Sequence, residues 1–420
     1  MEILITIAGV LLIALAIAQL TFWVASGLQQ GLTEAKVLEL HREMLQKEVQ
    51  ARATVEPKPV NPNTAWTGFR RFVVKQIVSE TRNTTSVYLV PQDGLAIPTF
   101  RPGQHLTIQF QLPNQAKPLV RCYSLSAGPN PDYYRITVKA IPAPRDQADL
   151  PPGRISNFIH DGLQENMTVD IKAPNGDFYL DLDRESPVVL LAGGVGITPM
   201  LSMIETVLAT NRKREILLLY GVQNGNDHLF KKRLKTLADS HNHFNVVNCY
   251  SSPTPEDISR KDCHVDGRVS VEILKRALPN NQFDFYMCGP GPFMESLYKD
   301  LLVWGVSENQ IHFEAFGPAS IKKSEIKKVV TEGTGTVAKI KFAKSETEVA
   351  WHDGYENILE AAEAAEVALD SGCRSGNCGT CQVGLLSGKV KYIAKPPSDI
   401  EPGTCLPCVA QPDGNVELDV

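Results

Sequence analysis

The sequence predicts a multidomain fold: an N-terminal transmembrane helix, an antiparallel β-barrel, an α/β domain with a parallel sheet, and a small cysteine-rich domain. Three observations predict this order. The chain begins with a run of 23 uncharged residues, changes from period-two alternation to a buried apolar run followed by glycines, and has five of its nine cysteines in its last 48 residues. Its length of 420 residues is enough for about three folded domains.

The composition excludes several classes of protein. A net charge of −5 provides no basic field that could bind a nucleic acid backbone. Apolar residues make up 43% of the chain and charged residues 21%, which is ordinary for a globular protein and excludes one with many membrane spans. Cysteines that cluster near one end of a long chain indicate a metal site more than a disulfide framework.

Residues 1–26 are predicted to form a membrane anchor. The uncharged run over residues 3–25 would span about 34 Å as a helix, which crosses the hydrocarbon core, and Phe22 and Trp23 suit the interface at its end. The alternatives are a cleaved signal peptide and a buried core helix, but no positive charge precedes the run and several follow it. We therefore expect one retained span in the cell inner membrane, with the domains that follow it facing the cytoplasm. Residues 27–65 follow as a juxtamembrane helix and a Pro-rich linker.

Residues 66–183 are predicted to form a barrel of antiparallel strands. Apolar and polar side chains alternate over residues 105–110 and 134–139, which is typical of half-buried strands. Further short segments are separated by Pro-Gly turns, and closure into a small barrel is the natural arrangement of such strands. The alternation places the polar side chains on the outside of the barrel.

One strand of this domain carries a cation, an aromatic ring and a hydroxyl within four positions. On a strand, Arg121 and Tyr123 share a face, so the guanidinium can hold a phosphate while the phenol ring lies against a flat heterocycle. The hydroxyl or backbone N–H of Ser124 can then be offered to a ring nitrogen. A half-exposed strand with an incidental Arg and Tyr would show the same residues.

Residues 184–316 are predicted to form the α/β domain. The apolar run at 188–192 is typical of a strand buried in a parallel sheet, and it leads directly into a glycine-rich turn and a helix. Glycines let the backbone approach a pyrophosphate, Thr198 can cap the helix, and Pro199 suits its first turn. The predicted dinucleotide-binding residues of this turn are Gly193, Gly194, Gly196, Thr198 and Pro199.

Together these motifs resemble those of the ferredoxin-NADP reductase family. The Arg-x-Tyr-Ser run at 121–124 is similar to the family's flavin motif, and residues 191–200 are similar to its nicotinamide-nucleotide loop. The turn from Gly153 to Ser156 resembles the family's G-x-x-S turn, which implies that helix N–H groups and Ser156 bind a flavin pyrophosphate. FAD is preferred to FMN for that reason.

The resemblance extends to the end of the parallel sheet. Cys288, Gly289 and Pro290 begin a segment similar to the family's C-G-P-x-x-M motif, whose cysteine lies at the nicotinamide. Glu314 and Phe316 are in a segment similar to the closing strand, where an acid and an aromatic approach the flavin. The resemblance implies catalytic roles for Ser124, Cys288 and Glu314, and cofactor binding by Gly289, Pro290 and Phe316.

The choice of pyridine nucleotide depends on the positions after the second strand of this domain. An Arg or Lys there would bind the 2′-phosphate of NADPH, but the chain has Gln223 and Asn224. NADH is therefore favoured. Lys231, Lys232 and Arg233 are close enough in sequence to keep NADPH open.

After a linker over residues 317–335, the C-terminal domain at 336–420 carries the cysteine cluster, and a helix over residues 355–369 is expected to lead to it. Cys373, Cys378 and Cys381 have the spacing C-x4-C-x2-C, which is that of plant-type [2Fe–2S] proteins. Small residues between them would let backbone N–H groups cover the sulfides. The spacing therefore predicts a [2Fe–2S] cluster.

The fourth ligand depends on a resemblance. The segment ending at Cys408 resembles the L-x-C segment of plant-type ferredoxins, which implies that Cys408 is a ligand, that Cys405 is not, and that the domain has a β-grasp fold. A structural zinc site is the alternative, with the ligands Cys378, Cys381, Cys405 and Cys408.

The resemblance implies an electron-transfer reductase that passes electrons from NAD(P)H to a flavin, then to the [2Fe–2S] cluster, and finally to a protein acceptor. An oxygenase, a desaturase and a hybrid-cluster-type protein are the expected acceptors, and the predicted anchor favours one at the membrane. An alternative is a subunit of a redox pump related to the sodium-translocating NADH:quinone reductase, although there the ferredoxin precedes the flavin domain. A non-catalytic iron–sulfur scaffold is a third possibility.

Overall fold

The computed structural model describes most of the chain after residue 65. The residues described are 66, 68–113, 115, 118–143, 152–210, 213–316, 338–352, 354–372, 374, 376, 379–393 and 400–420. The predicted membrane helix, juxtamembrane helix and Pro-rich linker lie outside these residues, as does the linker at 317–335. Within the described ranges, no helix is both long and apolar enough to cross a membrane.

The first domain is a closed antiparallel barrel. Its strands are β1 (Arg70–Thr81), β2 (Thr84–Pro91), β3 (His105–Phe110), β4 (Leu119–Ser124), β5 (Tyr134–Lys139) and β6 (Thr168–Ile171), in the order β4-β3-β6-β1-β2-β5. A bridge between Leu125 and Ile136, with a hydrogen bond from Ser126 N–H to the carbonyl of Arg135 (2.8 Å), joins the two edge strands. The predicted barrel is confirmed.

Part of the polar face of the barrel is buried, although the alternation places it on the outside. Apolar side chains such as Leu106 and Ile136 fill the interior, as the alternation predicts. The polar residues Thr84, Ser86 and Thr137, however, are also at least 95% buried. They are buried because the α/β domain lies against this side of β2 and β5, so the outer face of these strands is a domain interface and not a solvated surface.

The second domain is an α/β domain with a six-stranded parallel sheet. Its strands are β7 (Val188–Gly193), β8 (Ile216–Val222), β9 (Phe244–Tyr250), β10 (Val265–Asp266), β11 (Asp284–Gly289) and β12 (Ile311–Ala315), in the order β10-β9-β8-β7-β11-β12. Separate apolar clusters cover the two faces of the sheet, as expected for a doubly wound fold. The carboxyl ends of β7 and β11, which are neighbours in the sheet, carry the glycine turn and the Cys288 segment.

Among the described residues, six α-helices accompany these two domains. They are α1 (Arg154–Asn157), which continues into a π-helical turn at Phe158–Gly162, then α2 (Ile197–Ala209), α3 (Lys231–Ser240), α4 (Pro255–Ser259), α5 (Val271–Ala277) and α6 (Gly291–Val303). Helices α2 and α3 pack on one face of the parallel sheet, and α5 and α6 pack on the other.

The C-terminal domain has the predicted β-grasp arrangement. Its elements are β13 (Lys339–Phe342), β14 (Thr347–Ala350), α7 (Ile358–Ala364), β15 (Val383–Ser387), β16 (Val390–Tyr392), β17 (Thr404–Cys405), β18 (Ala410–Pro412) and β19 (Val416–Leu418). The first and last strands, β13 and β19, are parallel neighbours in a sheet of order β14-β13-β19-β15-β17. The helix expected over residues 355–369 is shorter, because Asn357 caps its start and Glu366 has a left-handed backbone (φ +57°).

Candidate functional site

Three polar side chains meet where the barrel contacts the edge of the parallel sheet. Ser124 at the end of β4 donates a hydrogen bond to Oε2 of Glu314 on β12 (3.1 Å). His105, the partner of Ser124 across the β3–β4 pair, places Nδ1 3.5 Å from Oε1 of the same carboxylate. The structure thus brings together Ser124 and Glu314, two of the three predicted catalytic residues, and adds His105. The sequence analysis missed His105 because it placed the polar face of β3 in solvent.

Cys288 lies beside this group. It is fully buried at the end of β11, and β12 pairs with β11 so that Cys288 is opposite Glu314. Burial raises the pKa of the Cys288 thiol well above its usual value, and the neighbouring Glu314 carboxylate raises it further. At neutral pH the side chain is therefore a neutral thiol, which can donate or pack but is a poor nucleophile.

Arg121 and Tyr123 lie on the face of β4 opposite to Ser124. Arg121 is exposed and its Nη1 donates to the carbonyl of Val120 (2.7 Å). The Tyr123 ring packs edge-on against Phe110, with the ring centroids 6.4 Å apart, and burial raises the pKa of its phenol. The phenol is therefore neutral, and one exposed cation lies next to one partly buried ring, as the sequence predicts.

The Gly153 turn is held together by its own side chains. The Ser156 hydroxyl donates to the carbonyl of Gly153 (3.1 Å) and accepts from the N–H of Ile141 (3.3 Å). A Cβ on Gly153 would lie 2.6 Å from Ser156 Oγ, so only glycine leaves room for this contact. The side-chain amide of Asn157 also donates to the backbone carbonyls of Ile141 and Gly153. Ser156 thus shapes the turn, and the backbone N–H groups at the start of α1 are its remaining donors toward a phosphate.

The glycine turn enters helix α2 earlier than the sequence suggests. A 3₁₀ turn at Gly194–Gly196 leads directly into α2, so Thr198 already lies in the first turn of the helix. Its hydroxyl donates to the carbonyl of Val195 (3.0 Å) and does not cap the helix, contrary to our expectation. Pro199 is in the first turn, as predicted. The uncapped N–H groups at the start of α2 suit an anion.

This turn is in backbone contact with the Cys288 segment. A Cβ on Gly196 would lie 2.1 Å from the carbonyl oxygen of Cys288, and one on Gly289 would lie 3.2 Å from Cα of Gly193. Pro290 Cδ would lie 3.1 Å from a Cβ on Gly193. The two loops therefore pack so closely that only glycine fits at these positions, and together they form one cradle at the edge of the sheet.

A cavity of about 120 Å³ opens beside the cradle, between the barrel and the α/β domain. It contains one cation, Lys139 at the end of β5, and one acid, Asp227, which the sequence analysis did not single out. Both lie beside Gly194, whose left-handed backbone (φ +55°) leaves open space where a Cβ would be. The lining residues are Asn83, Thr84, Lys139, Gly194, Val195, Val222, Gln223, Asp227 and Leu229.

Two of the four predicted cluster ligands are described, and they are adjacent. The sulfurs of Cys381 and Cys408 are 3.2 Å apart in a buried group that includes Leu359 and Leu406. This distance is too long for a disulfide but suits two ligands of one metal centre. Cys373 and Cys378 lie outside the described residues.

Cys405 occupies a different place. Its side chain is fully buried among the apolar residues that join α7 to the sheet, including Ile340 and Phe342. Burial, together with the nearby Cys381 thiol, raises the pKa of its thiol to about 12. This packing supports Cys408 as the fourth ligand. It disfavours the zinc alternative, which needs Cys405 as well as Cys408 as ligands.

The chain matches three protein families in the order of its domains. Residues 71–179 match the oxidoreductase FAD-binding domain, residues 190–299 the oxidoreductase NAD-binding domain, and residues 340–413 the 2Fe-2S iron-sulfur cluster binding domain. A flavohemoprotein from Bacillus anthracis is 37% identical over 272 residues, which is 65% of this chain and 67% of the relative. The chain thus spans about two thirds of that protein's length.

Solved structures agree. The flavohemoglobin-like FAD/NAD-binding domain of nitric oxide dioxygenase from Vibrio cholerae is 33% identical and is covered over 99% of its length by 59% of this chain, with a TM-score of 0.53. The chain belongs to the ferredoxin-NADP reductase superfamily of FAD- and NAD-binding oxidoreductases. Phthalate dioxygenase reductase, at 25% identity and a TM-score of 0.50, matches 84% of this chain over 98% of its own length. This chain is therefore an NAD(P)H-dependent flavin and iron–sulfur reductase, with FAD, NAD(H) and a [2Fe–2S] cluster as its cofactors.

The positions of Cys405 and Cys408 predict opposite results for two substitutions in the reductase. Cys408→Ser removes a ligand, so we expect bound iron and acid-labile sulfide to fall from about two each per chain to near zero. Cys405→Ala removes only a packed sulfur, so we expect a normal cluster and a loss of about 1–2 kcal/mol in the free energy of unfolding. Iron and sulfide analysis with visible absorption measures both. Loss of the cluster in Cys405→Ala alone would reverse the ligand assignment.

Proposed function

We propose that the reductase is anchored in the cell inner membrane and transfers electrons from NADH, through FAD and the [2Fe–2S] cluster, to a protein acceptor at that membrane. The observation that carries the proposal is the meeting of Ser124, Cys288 and Glu314 at the junction of the barrel and the parallel sheet. One side of this junction belongs to the flavin domain and the other to the nucleotide domain, so a flavin and a nicotinamide can meet there.

The residues present fit these groups. Gly193, Gly196 and Gly289 let the two loops pack closely against each other, and the open space at Gly194 leaves room for a pyrophosphate beside them. The exposed Arg121 guanidinium suits a flavin phosphate, and the neutral Tyr123 ring suits a flat heterocycle. When bound, the flavin would accept a hydride from the nucleotide and release its two electrons one at a time, and the cluster would carry them onward.

The side chains at the junction orient the reactants and keep out water. The hydrogen bond between Ser124 and Glu314 orients both side chains, so a hydroxyl and a carboxylate lie at the junction in a defined geometry. The neutral Cys288 thiol adds bulk without charge. Phe316, at the exposed end of the segment after β12, is available to cover the flavin side of the junction.

Two features support NADH over NADPH. Asp227 and Gln223 line the cavity beside Gly194, and a carboxylate there would accept hydrogen bonds from a ribose but repel a 2′-phosphate. Lys231 forms an ion pair with Asp262, and Arg233 pairs with Glu205, so these nearby cations are already engaged. Lys139, on the barrel side of the cavity, is placed for the pyrophosphate that both nucleotides share.

The acceptor is proposed from the domain order. Phthalate dioxygenase reductase carries electrons from pyridine nucleotides to [2Fe-2S], and nearly all of its length matches this chain. This likeness favours a partner oxygenase or desaturase over the redox-pump alternative. A hybrid-cluster-type protein would accept the same low-potential electrons. The uncharged run at residues 3–25 supports an acceptor at the membrane.

The order of electron transfer can be tested with Cys408→Ser. We expect NADH oxidation with ferricyanide to persist, because this acceptor can take electrons from the flavin directly. Reduction of cytochrome c, a protein that accepts one electron at a time, should fall by about tenfold or more, because the cluster precedes it. Steady-state rates with both acceptors provide the measurement. Equal rates with cytochrome c in variant and parent would show that electrons leave from the flavin.

The nucleotide preference can be tested with Asp227→Ser. Removing the carboxylate should raise kcat/KM for NADPH relative to NADH by about tenfold, because repulsion of the 2′-phosphate is lost. Asp239→Asn is the matched control, since Asp239 forms an exposed ion pair with Lys235 on α3. An unchanged ratio in Asp227→Ser would place the ribose site elsewhere.

The anchor can be tested by removing residues 1–65. The full chain should sediment with membranes and be released by detergent but not by high salt, because burial of the apolar run does not depend on ionic strength. The truncated chain should be soluble, with the same FAD content and the same ferricyanide rate. A full chain that washes off in salt would contradict the anchor.

A further inference from the structure

A carboxylate of the α/β domain joins that domain to the barrel. Glu205 on α2 accepts a hydrogen bond at Oε2 from the N–H of Gly128, in the loop after β4 (3.0 Å). At Oε1 it accepts from Nε of Arg233 on α3 (2.9 Å). Arg135 on β5 is a second cation that acts on this carboxylate, from the barrel side. We call these four residues the clasp.

The clasp is charged and largely removed from solvent. The Glu205 side chain is only 13% exposed. Burial alone would raise the pKa of Glu205, but Arg135, Arg233 and the Gly128 N–H together hold it below its usual value. A buried carboxylate that keeps its charge is costly to separate from its partners. The contact therefore resists separation of the two domains.

The barrel side of the clasp is itself fixed. The Arg135 guanidinium donates from Nε to the Ser126 hydroxyl (3.2 Å) and lies 5.1 Å from the centre of the Phe230 ring, at the start of α3. The loop is also in close contact with α2, because a Cβ on Gly128 would lie 3.3 Å from Cβ of Glu205. Each partner thus has one defined position.

The elements of the clasp also line the nucleotide cavity. Helix α2 begins at the glycine turn, about two turns before Glu205. Strand β5 carries Arg135 and ends at Lys139, on the opposite side of the cavity. A change at the clasp would therefore move the nucleotide cradle relative to the barrel.

We propose that Glu205 is a positioning residue, which holds the nicotinamide side of the junction at the distance from the flavin side that hydride transfer requires. The inference rests on the proposed function and goes beyond it, since Glu205 touches no part of the junction where Ser124 and Glu314 meet. Its role is to set alignment through the clasp. An error of about 1 Å between two reactants can cost on the order of a hundredfold in rate.

The test is Glu205→Gln, which keeps the side-chain shape and an acceptor for Gly128 but removes the charge. After anaerobic mixing with NADH, we expect the rate constant for loss of flavin absorbance to fall by about tenfold or more. The FAD content should be unchanged. Amide hydrogen exchange of the peptide containing Gly128 should increase, a readout that does not depend on turnover. Glu272→Gln is the matched control, because Glu272 is in an exposed ion pair with Lys275 on α5; neither measurement should change.

A second variant separates alignment from folding. Arg233 is on the accessible side of the clasp, so Arg233→Gln should retain FAD and slow flavin reduction, and the double variant should be no slower than Glu205→Gln alone. Rates within about twofold of the parent in both single variants, or loss of FAD from Glu205→Gln together with a normal rate in Arg233→Gln, would overturn the proposal. A parent that does not reduce its flavin with NADH would instead contradict the proposed function.

Discussion

The architecture depends on a polar face of the barrel being buried against the α/β domain. Polar groups can be buried at little cost only when they are hydrogen-bonded. Here the Thr137 hydroxyl is hydrogen-bonded to those of Ser86 (2.7 Å) and Ser126 (2.8 Å). The Ser86 hydroxyl also lies within hydrogen-bond distance of the Glu80 carboxylate (2.6 Å). These hydrogen bonds satisfy the buried hydroxyl groups, so this face of the barrel can be buried without being apolar. A cavity for a polar dinucleotide can therefore exist beside it.

The fold could be predicted from sequence to the extent that it follows from local pattern. Alternation gave the barrel strands, the apolar run before Gly193 gave the central parallel strand, and cysteine spacing gave the C-terminal domain. Local pattern also led to errors. The first turn of α2 begins before Thr198, because the glycine turn is itself helical. Helix α7 begins later than predicted because Asn357 caps its start.

The site could be predicted only in part, and the reason is physical. Ser124 and Glu314 are in recognisable motifs, and they do meet. His105, Arg135 and Lys139 have no motif, because each belongs to the polar face of a strand that alternation assigns to solvent. Their importance arises from a domain contact between segments far apart in the chain. Spacing alone does not separate Cys405 from Cys408. The resemblance to the L-x-C segment favours Cys408, and the packing agrees, because Cys405 is a core thiol and Cys408 lies beside Cys381.

The state of the Cys288 thiol has a consequence for chemical durability. Alkylating agents and peroxides react with thiolates far faster than with thiols. A cysteine whose pKa is raised by burial and by a neighbouring carboxylate is almost entirely in the unreactive form. Reduced flavins and iron–sulfur clusters can pass electrons to oxygen, so the surroundings of such a centre are exposed to oxidants. By keeping this sulfur neutral and fully buried, the fold retains a soft, polarisable atom at the junction without making it the first atom to be oxidised.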